Sequence, residues 1–251
     1  FIKGEGKAGR MGVRLMAIVA EGERGRVYLA PTPEHEAATR KARPNWNPDS
    51  SLPDDPRNFW TVQYGLTTFA DLFTPRQLVA LTTFADLGQE TREKVAQDAG
   101  AAEVTREGRH LREGGSGAEA YSEAVATYLG LAMSRFADRN NSLCTWDSGP
   151  TGTRSSTGGS ARTASLRNLF ARQAIPMAWD FGEANPFSDS GGGYNSSLEW
   201  IEPAIRSLRN TASGWASSDN AQTQSVSSGK IVSTDPPYYD NIGYADLSDF
   251  F

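Results

Sequence analysis

The chain has a single cysteine, Cys144, among 251 residues. One thiol cannot close an internal disulfide or supply the paired cysteines of a structural zinc site. There are two histidines, His35 and His110. Neither has an acidic or cysteine partner at a useful spacing along the chain, which speaks against a metal centre or a nucleophile–histidine triad. No phosphate-binding P-loop occurs. No apolar run approaches membrane-spanning length, and no signal peptide is visible. Positive charge is not in excess either: 25 Lys and Arg stand against 30 Asp and Glu, a formal net charge of −5. That excludes a strongly basic nucleic-acid module and leaves any such affinity local. With so little thiol chemistry, a cytoplasmic setting and no membrane partner are expected.

What is present suffices for a core. Hydrophobic residues make up 38%, and the length fits one large domain or two small ones. Residues 1–14 are glycine-rich and basic and read as a solvated linker. Leu15–Val19 and Arg26–Ala30 flank Glu21–Gly25 and predict a β-hairpin. Pro33–Ala42 predicts a short helix, and 44–58 a proline-rich connector. Thr74-Pro75-Arg76-Gln77 is a helix start, with Thr as cap, Pro at the first position and Gln completing a capping box. That helix is expected to break at Gly88 and resume to Ala99. Ala118–Arg139 carries an apolar stripe of Tyr121, Val125, Tyr128, Leu129, Ala132, Met133 and Phe136. Cys144 beside Trp146 reads as buried filler. Residues 147–164 and 211–229 predict polar loops. Helices are expected over 165–174 and 198–210. The hexapeptide TTFADL occurs at 67–72 and again at 82–87. A helix start separates the copies, which points to coincidence rather than a repeat architecture.

The stretch that carries chemistry is 230–244, KIVSTDPPYYDNIGY. Ile231 and Val232 predict a short buried strand after Gly229. Pro236 and Pro237 have no N–H and end it, leaving Asp235 at its carboxyl edge. In open α/β sheets ligands bind at that edge. An ionised aspartate only accepts hydrogen bonds, as do the proline carbonyls. The prolines pre-set their own direction and that of the residue before. Such a corner suits the exocyclic amine of a nucleobase, and Tyr238 offers a flat face for an extruded base. Positioning and stabilisation of charge growing on the amine would be its contributions.

Asp235-Pro236-Pro237-Tyr238 resembles the catalytic motif of S-adenosylmethionine-dependent amino-methyltransferases. The longer run DPPYYDNIGYADLSDFF is similar to adenine-specific DNA methylases that carry a Zn-ribbon. Stretches 4–19, 71–84, 140–146 and 172–188 agree with that family, so the likeness spans most of the chain. The resemblance implies an α/β fold, part of a Rossmann-like methyltransferase with helical insertions. It divides the chain into 1–58, a linker and hairpin after an upstream Zn-ribbon, and 59–251, a helical region and partial catalytic domain. It implies S-adenosylmethionine as cofactor, DNA as partner and adenine N6 as the methylated atom, with Asp235, Pro236, Pro237 and Tyr238 catalytic. Other defence or restriction-modification proteins are further expected partners. Asn185-Pro186-Phe187 mimics the cofactor loop of these enzymes, which makes Asn185 and Phe187 cofactor candidates; a polar turn is the competing reading. Phe1 is not an initiator Met and Phe251 falls within a helix just begun. An internal piece of a longer protein, inactive alone, is therefore expected. The alternative is a non-catalytic module, derived from a methylase, that binds nucleic acid or protein.

Overall fold

Thr74 opens the longest element. A computed structural model describes residues 1–23, 25–105, 108–149, 164–208, 216–235 and 242–251. Helix α3 (Pro75–Ala101) begins with the capping box expected of it; two shorter helices, α1 (Ile2–Lys7) and α2 (Pro33–Thr39), precede it. Thr74 Oγ1 accepts from the Gln77 N–H at 3.3 Å, and Gln77 Oε1 accepts from the Thr74 N–H at 2.9 Å. Two donors that the helix itself cannot satisfy are thereby paired. The expected break at Gly88 does not occur; α3 is continuous. A mid-helix glycine costs about 1 kcal/mol relative to alanine, and the packing of α3 along α4 (Ala118–Arg139) outweighs it.

Helix α4 has the bounds that its apolar spacing predicts. The stripe is corrected at one end: Tyr121 is 57% exposed. There the buried line runs through Ala118 and Ser122, before reaching Ala132 and Phe136. Two buried asparagines close the helix. Asn140 Nδ2 donates to the Phe136 carbonyl at 2.9 Å, and Asn141 Nδ2 to that of Ala137 at 2.9 Å. They bond carbonyls of the last turn, where that of Ala137 also accepts from the Asn140 N–H at 3.2 Å. Asn141 Oδ1 in turn accepts from the Leu143 N–H at 3.0 Å. Cys144 is fully buried just beyond, and burial pushes its thiol up to about 11. Buried filler is the right description.

The core gathers segments far apart in sequence: Leu52, Phe59, Leu72, Leu143, Leu169 and Ile175 pack together. Residues 58–60 and 175 are tied by backbone: the Ile175 N–H donates to Asn58 O at 2.7 Å and the Trp60 N–H to Ile175 O at 3.1 Å. Near the C-terminal end, Leu247 and Phe250 enter the same core. Phe250 stacks on Phe73 at 5.5 Å and meets Phe170 edge-on at 5.3 Å.

Strands are few. β1 (Ile18–Gly22) and β2 (Gly25–Leu29) form the expected hairpin, paired Ile18 to Leu29. β3 (Trp146–Asp147) pairs antiparallel with β4 (Ser165–Leu166). The helix expected over 165–174 is therefore corrected to a strand pair followed by a 3₁₀ turn at Leu169–Ala171. Asp138 at the end of α4 captures this turn, accepting from the Phe170 N–H and Asn168 Nδ2, both at 2.8 Å. The N-terminal linker is corrected as well, since α1 is helical. It lies so close to residues 60–64 that a Cβ on Gly6 would stand 2.1 Å from the Tyr64 carbonyl oxygen. Helix α5 (Tyr194–Ser207) packs on α4, and α6 (Tyr244–Ser248) ends the list of helices among the described residues. Those residues form two two-stranded antiparallel sheets, and their single parallel pairing is the isolated bridge Phe59–Ile175. None of their helices is long and apolar enough to cross a membrane.

Candidate functional site

Asp235 is exposed and lies in irregular backbone. The strand expected before it is corrected: residues 231–235 pair with nothing in strand fashion, Ile231 is 102% exposed and Val232 is exposed too. Ile and Val favour strands because the pleat lets them pack on neighbours; without a neighbouring ladder the preference has nothing to act on. Gly229, with φ of 71°, turns the chain just upstream. Among the described residues the Asp235 carboxylate has no hydrogen-bond or ion-pair partner. Pro236, Pro237 and Tyr238, expected beside it, lie outside the described residues. Ile242 packs against the core, and a Cβ on Gly243 would lie 3.1 Å from Asp246 Oδ2 and 3.7 Å from Asn58 Nδ2. Asp246 sits in the first turn of α6, the end at which the helix dipole favours an acid.

The second sequence candidate, residues 185–187, is a polar turn. Asn185 Oδ1 accepts from the Phe187 N–H at 3.0 Å, and the Asn185 carbonyl accepts from the Ser188 N–H at 3.1 Å and Ser188 Oγ at 2.8 Å. The Asn185 side chain is thus spent on its own turn. Phe187 is 82% exposed, its ring 6.0 Å from that of Phe84. The glycines that follow close the turn onto α5: a Cβ at Gly193 would stand 1.7 Å from the Ser188 carbonyl oxygen. The turn lies near α4, since Asn140 Nδ2 donates to Gly192 O at 2.8 Å. Asn185 and Phe187 are not brought into contact with Asp235 by any interaction among the described residues.

One cluster was not legible along the chain. His110 Nδ1 lies 2.6 Å from Glu123 Oε1, and Arg92 reaches Glu119 Oε1 at 2.9 Å and Glu123 Oε1 at 3.2 Å. The Leu111 N–H donates to Glu123 Oε2 at 2.7 Å. These donors, the Leu111 N–H first and His110 next, hold the Glu123 carboxyl below its ordinary range. So His110 does have acidic partners, which the sequence reading denied it. They come from the next helix, thirteen residues on for Glu123, and a loop folds the distance away. His110, Glu119 and Glu123 place one ligand atom each within 4.8 Å of one another, a donor set that could take a divalent cation. Arg92 already bridges both carboxylates and offsets one of their two charges without a metal. The cluster borders a hollow of about 460 Å³ lined by Arg92, His110, Leu111, Arg112, Glu123 and Thr127. His35 has a different duty: its Nδ1 accepts from the Thr32 N–H at 3.1 Å and completes the cap of α2.

The described residues contain no parallel strand leading through a glycine loop into a helix, and in the loop over 185–187 the exposed Asn185 closes its own turn through Oδ1. Compared with family models, with curated proteins and with solved structures, the chain matches none.

Proposed function

We propose that the chain carries the amine-gripping corner of an adenine-specific DNA methyltransferase. The observation that supports this reading is Asp235: it opens the run Asp-Pro-Pro-Tyr with an exposed carboxylate that no other described residue engages. An acceptor left free in this way is available to the N6 amine of a flipped adenine, whose two N–H groups need acceptors. In this reading the Pro236 carbonyl shares the second N–H and Tyr238 stacks on the base. Two acceptors on one amine orient its lone pair and stabilise the positive charge that grows there during alkylation. S-adenosylmethionine, when bound, would supply the methyl group. The amine loses its extra proton after transfer, so no dedicated base is required.

A second reading is a methylase-derived module that binds nucleic acid or protein without catalysis. One experiment separates them. In the complete protein, Asp235→Ala should cut methyl incorporation into DNA by at least a hundredfold and leave the melting temperature unchanged. Methylation retained in that variant, or absent in the wild type, removes the catalytic reading.

A further inference from the structure

The seam between α4 and α5 holds two arginines that make no ion pair with any described residue. Arg135 and Arg139 sit on successive turns of α4, and the Nε of each is buried without a hydrogen-bond partner. Arg10, Arg57, Arg76, Arg92, Arg167 and Arg206, by contrast, all meet a carboxylate. Like charges four residues apart on a helix repel. Arg135 is accordingly held below the ordinary guanidinium range, first by burial and then by Arg139, with Asp138 acting the other way. Asp138 offsets part of this charge but is one carboxylate against two guanidinium groups, and its oxygens already accept from the Phe170 N–H and Asn168 Nδ2. A buried polar group without a partner calls for an explanation, and a bound ion is one of the few available.

The surroundings narrow the choice of anion. The Arg135 guanidinium lies 4.6 Å from the centre of the Trp200 ring, and Trp200 is 66% exposed. Arg139 Nη1 faces the glycine loop, 3.9 Å from where a Cβ of Gly191 would stand. Beside it Gly193 starts α5 without a side-chain cap. Guanidinium groups match phosphate oxygens in pairs. An indole fixed on one side by an arginine presents a stacking surface of the kind that holds unpaired bases, and Phe187 is another exposed ring, in the loop before α5. Acidic residues lie close by in sequence: Asp189 in the loop, Glu199 beside Trp200, and Glu202, which Arg206 pairs at 2.6 Å. They disfavour a long basic track.

We propose that Arg135 and Arg139 grip a backbone phosphate of single-stranded DNA while Trp200 stacks on one of its bases. The choice of a DNA strand over free phosphate rests on the function proposed above; the two arginines without an ion pair do not. The test is fluorescence anisotropy of a labelled oligothymidylate against the chain at several salt concentrations. Arg135→Gln with Arg139→Gln should weaken binding at least tenfold and flatten the salt dependence by roughly one log unit per log unit, as the loss of one or two phosphate contacts requires. Trp200→Ala should weaken it about fivefold or more, and Arg206→Gln, outside the seam, should not. Unchanged affinity in the double variant overturns the proposal. So does equal competition by inorganic phosphate with no effect of Trp200→Ala, which would mark a free-phosphate site. Should the double variant fail to fold, photocrosslinking of a bromouracil oligonucleotide to the wild type decides. A crosslink within 187–200 supports the proposal, and one only elsewhere overturns it. Binding by the chain together with no methylation by the complete protein would sink the methylase reading and leave this site standing.

Discussion

The six residues TTFADL appear twice and fold in two ways. At 67–72 they make a 3₁₀ turn, Phe69–Leu72, with Phe69 and Leu72 in the core. At 82–87 they lie inside α3, where Leu87 is exposed. The aspartates differ as much. Asp71 Oδ2 accepts from the Thr67 N–H at 2.8 Å and the Thr68 N–H at 2.9 Å, while Asp86 lies on the exposed face of α3. The phenylalanines share a taste for other rings only in the second copy, where Phe84 stacks on Tyr194 at 4.2 Å and meets Phe136 edge-on at 5.4 Å. Identical local preference is thus overruled by neighbours: Pro75 and the Thr74 cap start a helix between the copies, and the second is carried along α4 by packing.

That difference can be broken from the leucines outward. Leu72→Ala should destabilise the fold by about 2–5 kcal/mol, since it empties a fully enclosed site. Leu87→Ala should cost about 0.5 kcal/mol or less. Paired denaturant titrations measure both, and equal losses would mean that the two copies are not in the contrasting environments described. The aspartates sharpen the contrast at smaller amplitude. Asp71→Ala should cost about 1 kcal/mol through two unpaired backbone donors, and Asp86→Ala should fall within about 0.5 kcal/mol of the wild type, read from the same titrations.

The sequence was informative where one residue's chemistry fixed a local geometry. Thr74, Pro75 and Gln77 specified a helix start with no help from elsewhere, and the spacing of Ala132, Met133 and Phe136 specified a packed face. It misled where an element depends on partners. Ile231 and Val232 look like a strand, yet a strand needs a ladder and none reaches them. Leu166 looks helical, yet Trp146 offers it an edge and Asp138 captures the turn that follows. His110 looked unpartnered because its carboxylates arrive from the next helix. The proposed amine-gripping corner rests on residue types alone beyond Asp235, which is why methyl transfer is tested by variants and not by geometry.

Cys144 has a practical consequence. Its thiol is shut away and resists ionisation at neutral pH, so alkylating dyes will pass it by. A cysteine placed at an exposed position such as Trp200 or Phe187 would then be the only reactive thiol on the molecule. Spectroscopic reporters could be attached beside the α4–α5 seam without first removing the native residue.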